Sequence, residues 1–350
     1  MTSGSEGHSI GTLLPGSPQR MGRPATISAT EVPSRQSHLA GKAAGGRKGG
    51  RWQVLVAVAA AGWLLTMAGS AAAADIDWAK VDHALGKVGT DQPDGVRKYG
   101  LPRSDLHVTL DGVALKPAFA LVGWLAFEPM ESAAIVMGDL VLAEREVNPV
   151  MSRLLAHGIV ITAVHNHLLQ AVPATFYMHI AGRGDPVRLA QALHDALRAG
   201  SGTPLDTAVP LPAPASLSAL PIDTARLDRI LGYRGKRNGG VYQFAIPRAD
   251  TIREQGMILP PAMGTAIGIN FQPTGQDQAA ITGDLALIAV EVVPVQSALR
   301  RAGIKVTALH NHMLDEQPRL FFVHFWARGE AVRLAEGMRA ALDHVNATKE

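Results

Sequence analysis

Apolar and polar positions switch between two periods along this chain. Helical spacing marks 75–85 and 223–231, and 186–197 places Val187, Leu189, Ala190, Leu193, Ala196 and Leu197 on one helical face. Strand-like runs occupy 119–127, 135–147, 159–167 and 175–181. Asn148-Pro149 carries a helix-start signature, with Asn as N-cap and Pro at the first helical position. That helix runs to His157 and stops at Gly158. The later half repeats the pattern with strands at 304–312 and 320–326 and a helix at 331–342.

The repetition is a duplication. A shift of 145 residues lays Leu101-Pro-Arg-Ser-Asp105 on Ile246-Pro-Arg-Ala-Asp250 and Gly138-Asp-Leu140 on Gly283-Asp-Leu285. Residues 158–191 and 303–336 share 17 identities in 34 positions. The predicted fold class is α+β, with two tandem copies of one domain. Each copy is a small, mainly antiparallel sheet with a few helices, and together they form a pseudo-dimer. The first domain is expected over 75–200 and the second over 222–346. The Pro/Ala/Ser-rich stretch 201–221 reads as their linker.

Residues 1–74 stand apart from this pattern. A basic start at Arg47, Lys48 and Arg51 precedes an apolar run from Val54 to Met67, then small residues with Ala72-x-Ala74 as the cleavage site. The alternative is an uncleaved anchor, the only membrane contact the sequence offers, but the run is short for a span of about 20 residues. The Gly/Ser/Pro/Arg-rich 1–46 reads as a disordered leader. Export to the periplasm or the exterior is therefore expected. Loss of 1–74 removes seven Lys/Arg and two acids and takes the formal charge from +3 to −2. Nucleic acid, which binds clustered cations, is thereby excluded as a partner.

The chain is 47% hydrophobic and has no cysteine, so disulfides, thiolate nucleophiles and Fe–S clusters are excluded. Histidine carries the remaining chemistry. Of thirteen His, His165, His167 and His179 of the first copy fall on His310, His312 and His324 of the second. Two His two residues apart on a strand share a face. A hairpin symmetric about Pro173, or about Pro318, would set His167 opposite His179 and His312 opposite His324. Three imidazoles would then converge in each copy, a ligand set for zinc first and also for copper, iron or manganese. The competing reading is a hydrogen-bonded polar core that fixes the hairpin.

Glu146 and its match Glu291 are candidates for ligand or general base, against the alternative of acids favouring a helix N-terminus. Glu316, four residues after His312, offers the second copy an extra carboxylate where the first has Ala171. Asp139 and Asp284 follow Gly and read as turn or capping residues. Phe322 and Trp326 share the expected His face, where the first copy has Tyr177 and Ala181. His-Asn-His is not the HNH nuclease motif, whose letters are scattered over a ββα unit, and the predicted helices do not suit a cupin jelly roll. Nucleophile elbow, phosphate loop and dinucleotide fingerprint are all missing.

The runs Thr307-Ala-Leu-His310-Asn-His312-Met-Leu-Asp-Glu-Gln-Pro-Arg319, Phe321-Phe-Val-His324-Phe-Trp326 and Gly138-Asp-Leu-Val-Leu-Ala-Glu-Arg-Glu146-Val-Asn-Pro-Val150 resemble the LppY/LpqO family. The resemblance extends over nearly all of 75–346 and implies an exported protein built on a domain of unknown function. It supplies no activity. Members named as lipoproteins need a lipobox Cys that this chain lacks, which implies a soluble or signal-anchored form. The sequence reading is an exported transition-metal binder whose partner is a metal ion or small molecule, with metal-dependent catalysis on an unread substrate as one branch of that reading and the question of an enzyme left open. A non-catalytic envelope binding module and a purely structural pseudo-dimer are its alternatives.

Overall fold

The computed structural model describes residues 76–131, 133–205 and 220–349. The leader and signal segment expected over 1–74, and most of the linker expected over 201–221, lie outside the described residues.

In the first copy, helix α1 (Trp78–Leu85) leads into strands β1 (Thr90–Asp91) and β2 (Arg97–Pro102), then a two-stranded ribbon, β3 (Thr109–Leu110) and β4 (Val113–Ala114). The single turn α2 (Pro117–Ala120), strands β5 (Val122–Pro129) and β6 (Ala134–Ala143) and helix α3 (Glu144–Ala156) follow. The hairpin β7 (Val160–His165) and β8 (Thr175–Gly184) and helix α4 (Pro186–Gly200) complete it. The second copy runs α5 (Thr224–Leu231), β9 (Lys236–Asn238), β10 (Val241–Ile246), the ribbon β11 (Arg253–Glu254) and β12 (Met257–Ile258), and a 3-10 turn at Pro261–Met263. It continues through β13 (Ile267–Gly275), β14 (Gln278–Ile288), α6 (Ala289–Arg301), β15 (Lys305–His310), β16 (Leu320–Glu330) and α7 (Ala331–Leu342). The protein is α+β, with two six-stranded antiparallel sheets of matching order, β1-β2-β5-β6-β8-β7 and β9-β10-β13-β14-β16-β15.

Local chemistry sets the ends of these elements. Asp77 and Asp223 cap the opening helices by accepting the backbone N–H of Lys80 and Arg226. Gly86 and Gly232 end them in the left-handed conformation. The helix expected to begin at Asn148-Pro149 instead begins at Glu144, and Pro149 lies inside it. Glu146 accepts the Ala143 N–H at 2.8 Å, so the acid at the third helical position fixes the start. Pro149 forgoes one helical hydrogen bond further along.

Strand parity shows how the copies meet. On β6, Val136, Leu140 and Leu142 pack with Leu154, Leu189 and Leu193 of the first copy's own helices. The alternate positions Met137 and Val141 pack with residues of the second copy. Every residue of β6 is buried, as a strand covered on both faces must be. β8 divides likewise, Met178 and Ile180 toward the helices and Tyr177 toward the second copy. The two sheets therefore lie face to face with helices outside, a four-layer arrangement. Polar straps reinforce the seam: buried Gln272 accepts the Lys116 N–H and donates to the Ala114 carbonyl, both at 2.8 Å, and Trp326 donates its indole N–H to Asp111 at 2.7 Å.

Candidate metal centre

The six matched histidines meet in the seam between the sheets. The hairpin register differs from the expected one. Ala163, not His167, lies opposite His179, and His165 lies opposite Tyr177, with a bulge between Ile161 and Ala163. The second copy repeats this with Ala308 opposite His324, His310 opposite Phe322, and a bulge between Val306 and Ala308. The strands end at His165 and His310, so the connections form loops rather than tight symmetric turns. His165 and His179 nevertheless converge as diagonal neighbours on one face, with their Nε2 atoms 3.0 Å apart. The corresponding His310 and His324 nitrogens are 2.6 Å apart.

Across the seam the imidazoles stack in pairs. His165 lies on His310 with centroids 3.4 Å apart, His167 on His324 at 3.6 Å and His179 on His312 at 3.8 Å. The latter two contacts exchange partners when the copies are exchanged, as an isologous two-fold contact requires. Tyr177 stacks on the outer side of His167 at 3.5 Å, and Phe322 on His312 at 3.3 Å. Each copy's aromatic wall thus holds one imidazole against the other copy.

The ring nitrogens are sorted by the backbone. His324 Nδ1 lies 2.8 Å from the Gly283 carbonyl, His310 Nδ1 2.9 Å from that of Asn311, His165 Nδ1 3.3 Å from that of Asn166, and His312 Nδ1 3.4 Å from that of Gly264. A carbonyl only accepts, so the Nδ1 atoms of His324, His310 and His165 carry the hydrogen and leave Nε2 with a lone pair, whereas His312 also faces the Asp284 carboxylate through Nε2, 3.2 Å away. Those lone pairs point into the centre. Three overlapping groups have ligand atoms within 4.8 Å of one another: His165, His167 and His324; His165, His179 and His310; His310, His312 and His324.

Two carboxylates that the sequence reading set aside as turn residues join them. Asp139 and Asp284 lie mid-strand, paired with His179 and His324 across the sheet. Asp284 Oδ2 is 3.2 Å from His312 Nε2, and Asp139 Oδ2 is 3.9 Å from His167 Nε2. The preceding glycines let the strands close on the site: a Cβ on Gly283 would stand 2.0 Å from the Gly268 carbonyl oxygen, and one on Gly138 2.8 Å from that of Trp124. The signal for Asp139 and Asp284 was their match across the 145-residue shift.

Burial governs the electrostatics. It pushes His310 down to about 3, helped by the neighbouring His324 and His312. His165, His167, His179 and His324 are also lowered, burial being the largest cause in each. Burial raises Asp139 well above the ordinary carboxylate range, with Asp284 adding repulsion. For Asp284 burial acts in the same direction, but His324 and His312 outweigh it and hold that carboxyl low. Asp139 Oδ1, Asp284 Oδ1, His167 Nε2 and His312 Nε2 are buried without a hydrogen-bond partner.

The other acids expected at the site are engaged elsewhere. Glu146 accepts from Arg103 at 2.8 and 3.1 Å, from the Ala143 N–H at 2.8 Å and from the Gly202 N–H at 3.0 Å. Glu291 does the same with Arg248, Ile288 and Asn346. Glu316, fully buried, accepts the Leu320 N–H at 2.8 Å. Among the described residues none of the three belongs to a histidine ligand group. A cavity of about 450 Å³ borders the second copy's half of the seam, lined by Leu169, Gln170, Lys305, Thr307 and Trp326.

Fold and site together define a tandem-duplicated α+β protein with a histidine and carboxylate centre at its internal two-fold. The chain belongs to the family described as Domain of Unknown Function (DUF1259), matched over 79–199 and again over 225–344. No curated protein matches it in sequence. Two solved structures are similar in part. A trimeric bacterial microcompartment shell protein, PduB, is 13% identical, with 75% of this chain and 96% of that chain covered and a TM-score of 0.20. EtuB from Clostridium kluyveri is 11% identical, with 73% and 90% covered and a TM-score of 0.19. Superpositions at this level assign no role to the chain.

Proposed function

We propose that this chain is an exported member of the LppY/LpqO type that binds a transition metal, zinc first, through the histidines of its internal two-fold. One observation carries the reading. His310 and His324 both direct Nδ1–H at backbone carbonyls, and their Nε2 lone pairs face each other at 2.6 Å. Two lone pairs at that distance repel unless a cation lies between them. Burial disfavours a proton there, because it disfavours imidazolium. A metal ion would remove that repulsion: tetrahedral ligands on bonds of about 2.0–2.1 Å lie roughly 3.3 Å apart, a spacing that a small opening of the 2.6 Å pair and of the 3.0 Å His165–His179 pair would reach. The carbonyls also supply the outer hydrogen bonds that orient metal-ligating imidazoles.

A bound ion would supply Lewis acidity and lower the pKa of bound water. Beside it Asp139, whose carboxyl pKa burial raises, lies 3.9 and 4.0 Å from the Nε2 atoms of His167 and His179. A second reading, a non-catalytic envelope module that stores the ion, is favoured by depth, since His179, His312 and His324 are 2%, 6% and 0% exposed. Elemental analysis of the untagged full chain tests the metal itself. Metal is expected in the wild type and should fall in a folded H310A/H312A/H324A variant. A wild type free of metal after reconstitution leaves the histidines as a polar core. Turnover on a substrate panel then separates enzyme from storage module.

A further inference from the structure

We infer that the centre takes two metal ions, one in each copy's layer of imidazoles, and that Asp139 and Asp284 are their carboxylate ligands. This rests on the metal reading above.

The donors form two layers. His165 and His179 lie edge to edge with their planes 5° apart, and His310 and His324 do so with planes 14° apart. The layers face each other through the three cross-copy stacks at 3.4, 3.6 and 3.8 Å. Each layer brings three imidazoles and one aspartate. The ligand groups overlap: His310, His312 and His324 lie in one layer, whereas His165, His167 and His324, and His165, His179 and His310, each draw on both. An ion on His310, His312 and His324 leaves His165, His167 and His179 unfilled, and each layer separately holds one orphaned imidazole nitrogen and one orphaned carboxylate oxygen. Paired metals in two-metal sites lie about 3.5–4 Å apart, the spacing at which these ring layers stack. The aspartates complete the count: Asp139 stands beside His167 and His179, and Asp284 beside His312 and His324. Three nitrogens and a carboxylate oxygen form a donor set that suits zinc, copper or iron.

The test is metal stoichiometry with a magnetic readout. Full-length protein is stripped with chelator, reloaded with Cu²⁺, desalted and assayed for copper per chain and by electron paramagnetic resonance. Two ions per chain with a spin-coupled spectrum are expected. D139N and D284N, each close to isosteric, should each fall to one ion with an uncoupled spectrum while the circular dichroism stays native. One ion in the wild type, or two with an uncoupled spectrum, overturns the inference and leaves the metal reading intact. Two coupled ions retained in both aspartate variants overturn the carboxylate assignment. No copper retained in the wild type overturns the metal reading itself.

Discussion

His165 stacks on His310 with ring centroids 3.4 Å apart, and of the three closest cross-copy imidazole pairs it alone joins residues at the same position of the two repeats. The approximate two-fold axis of the molecule therefore passes between these rings. Everything placed around them by one copy is answered by the other.

Metal should stabilise the fold in proportion to its binding. An ion at about 100 times its dissociation constant adds roughly 2.7 kcal/mol when it binds only the native state. For a unit of this size that is a rise of about 5–10 °C in melting temperature. Thermal melts of stripped protein with and without Zn²⁺, Cu²⁺ or Mn²⁺ check this, and EDTA should return the loaded protein to the lower value.

Acid should destabilise the metal-free protein from about pH 6.5 downward. Five imidazoles, His165, His167, His179, His310 and His324, are held below their ordinary value, so in this window the unfolded chain binds more protons than the native one. Each can cost up to about 1.4 kcal/mol per pH unit. Asp139, Glu128 and Glu254, raised by burial, have the opposite sign, but they are three groups against five. The melting temperature should therefore fall steadily between about pH 7 and pH 5. H179N should flatten that slope, and a pH-independent wild type would contradict the burial argument.

Arg103 and Glu146 bear on stability rather than on metal. Arg103 is 1% exposed, and Glu146 is its buried partner. Breaking a buried pair by removing one partner's charge costs about 3–5 kcal/mol. E146Q should unfold at markedly lower denaturant with its metal content unchanged. Metal loss from a folded E146Q protein would return Glu146 to the ligand set.

Gly283→Ala tests the close approach of strands at the site. The added methyl would meet a backbone oxygen of β13 and the Phe325 ring, neither of which can swing away. G283A should lose stability by several kcal/mol and release metal, whereas Gly268→Ala, with open space at its Cβ, should retain the metal. Melting temperature and metal content of the two variants give the comparison.

The duplication and all six histidines were legible in the sequence, because a fixed shift exposes any residue both copies need. Their meeting in one centre was not. The shift shows equivalence, and equivalence alone does not say that the copies pack through those faces. The register was misread because a bulge before Ala163 and a loop containing Pro173 replace the symmetric turn. Asp139 and Asp284 were missed because Gly-Asp is common turn chemistry, while here the glycine is needed for strand proximity. Pro149 suggested a helix start, but the Glu146 hydrogen bond to Ala143 determines it five residues earlier.

Tyr177 and Phe322 occupy matching places against His167 and His312, and only Tyr177 carries a hydroxyl, which it gives to the Ala120 carbonyl. A true homodimer encodes both walls with one codon, so any change on one side is copied to the other. Joining the copies in one chain lifts that constraint. Each half-site is free to change without its twin, and the Tyr/Phe pair is one place where the two walls differ.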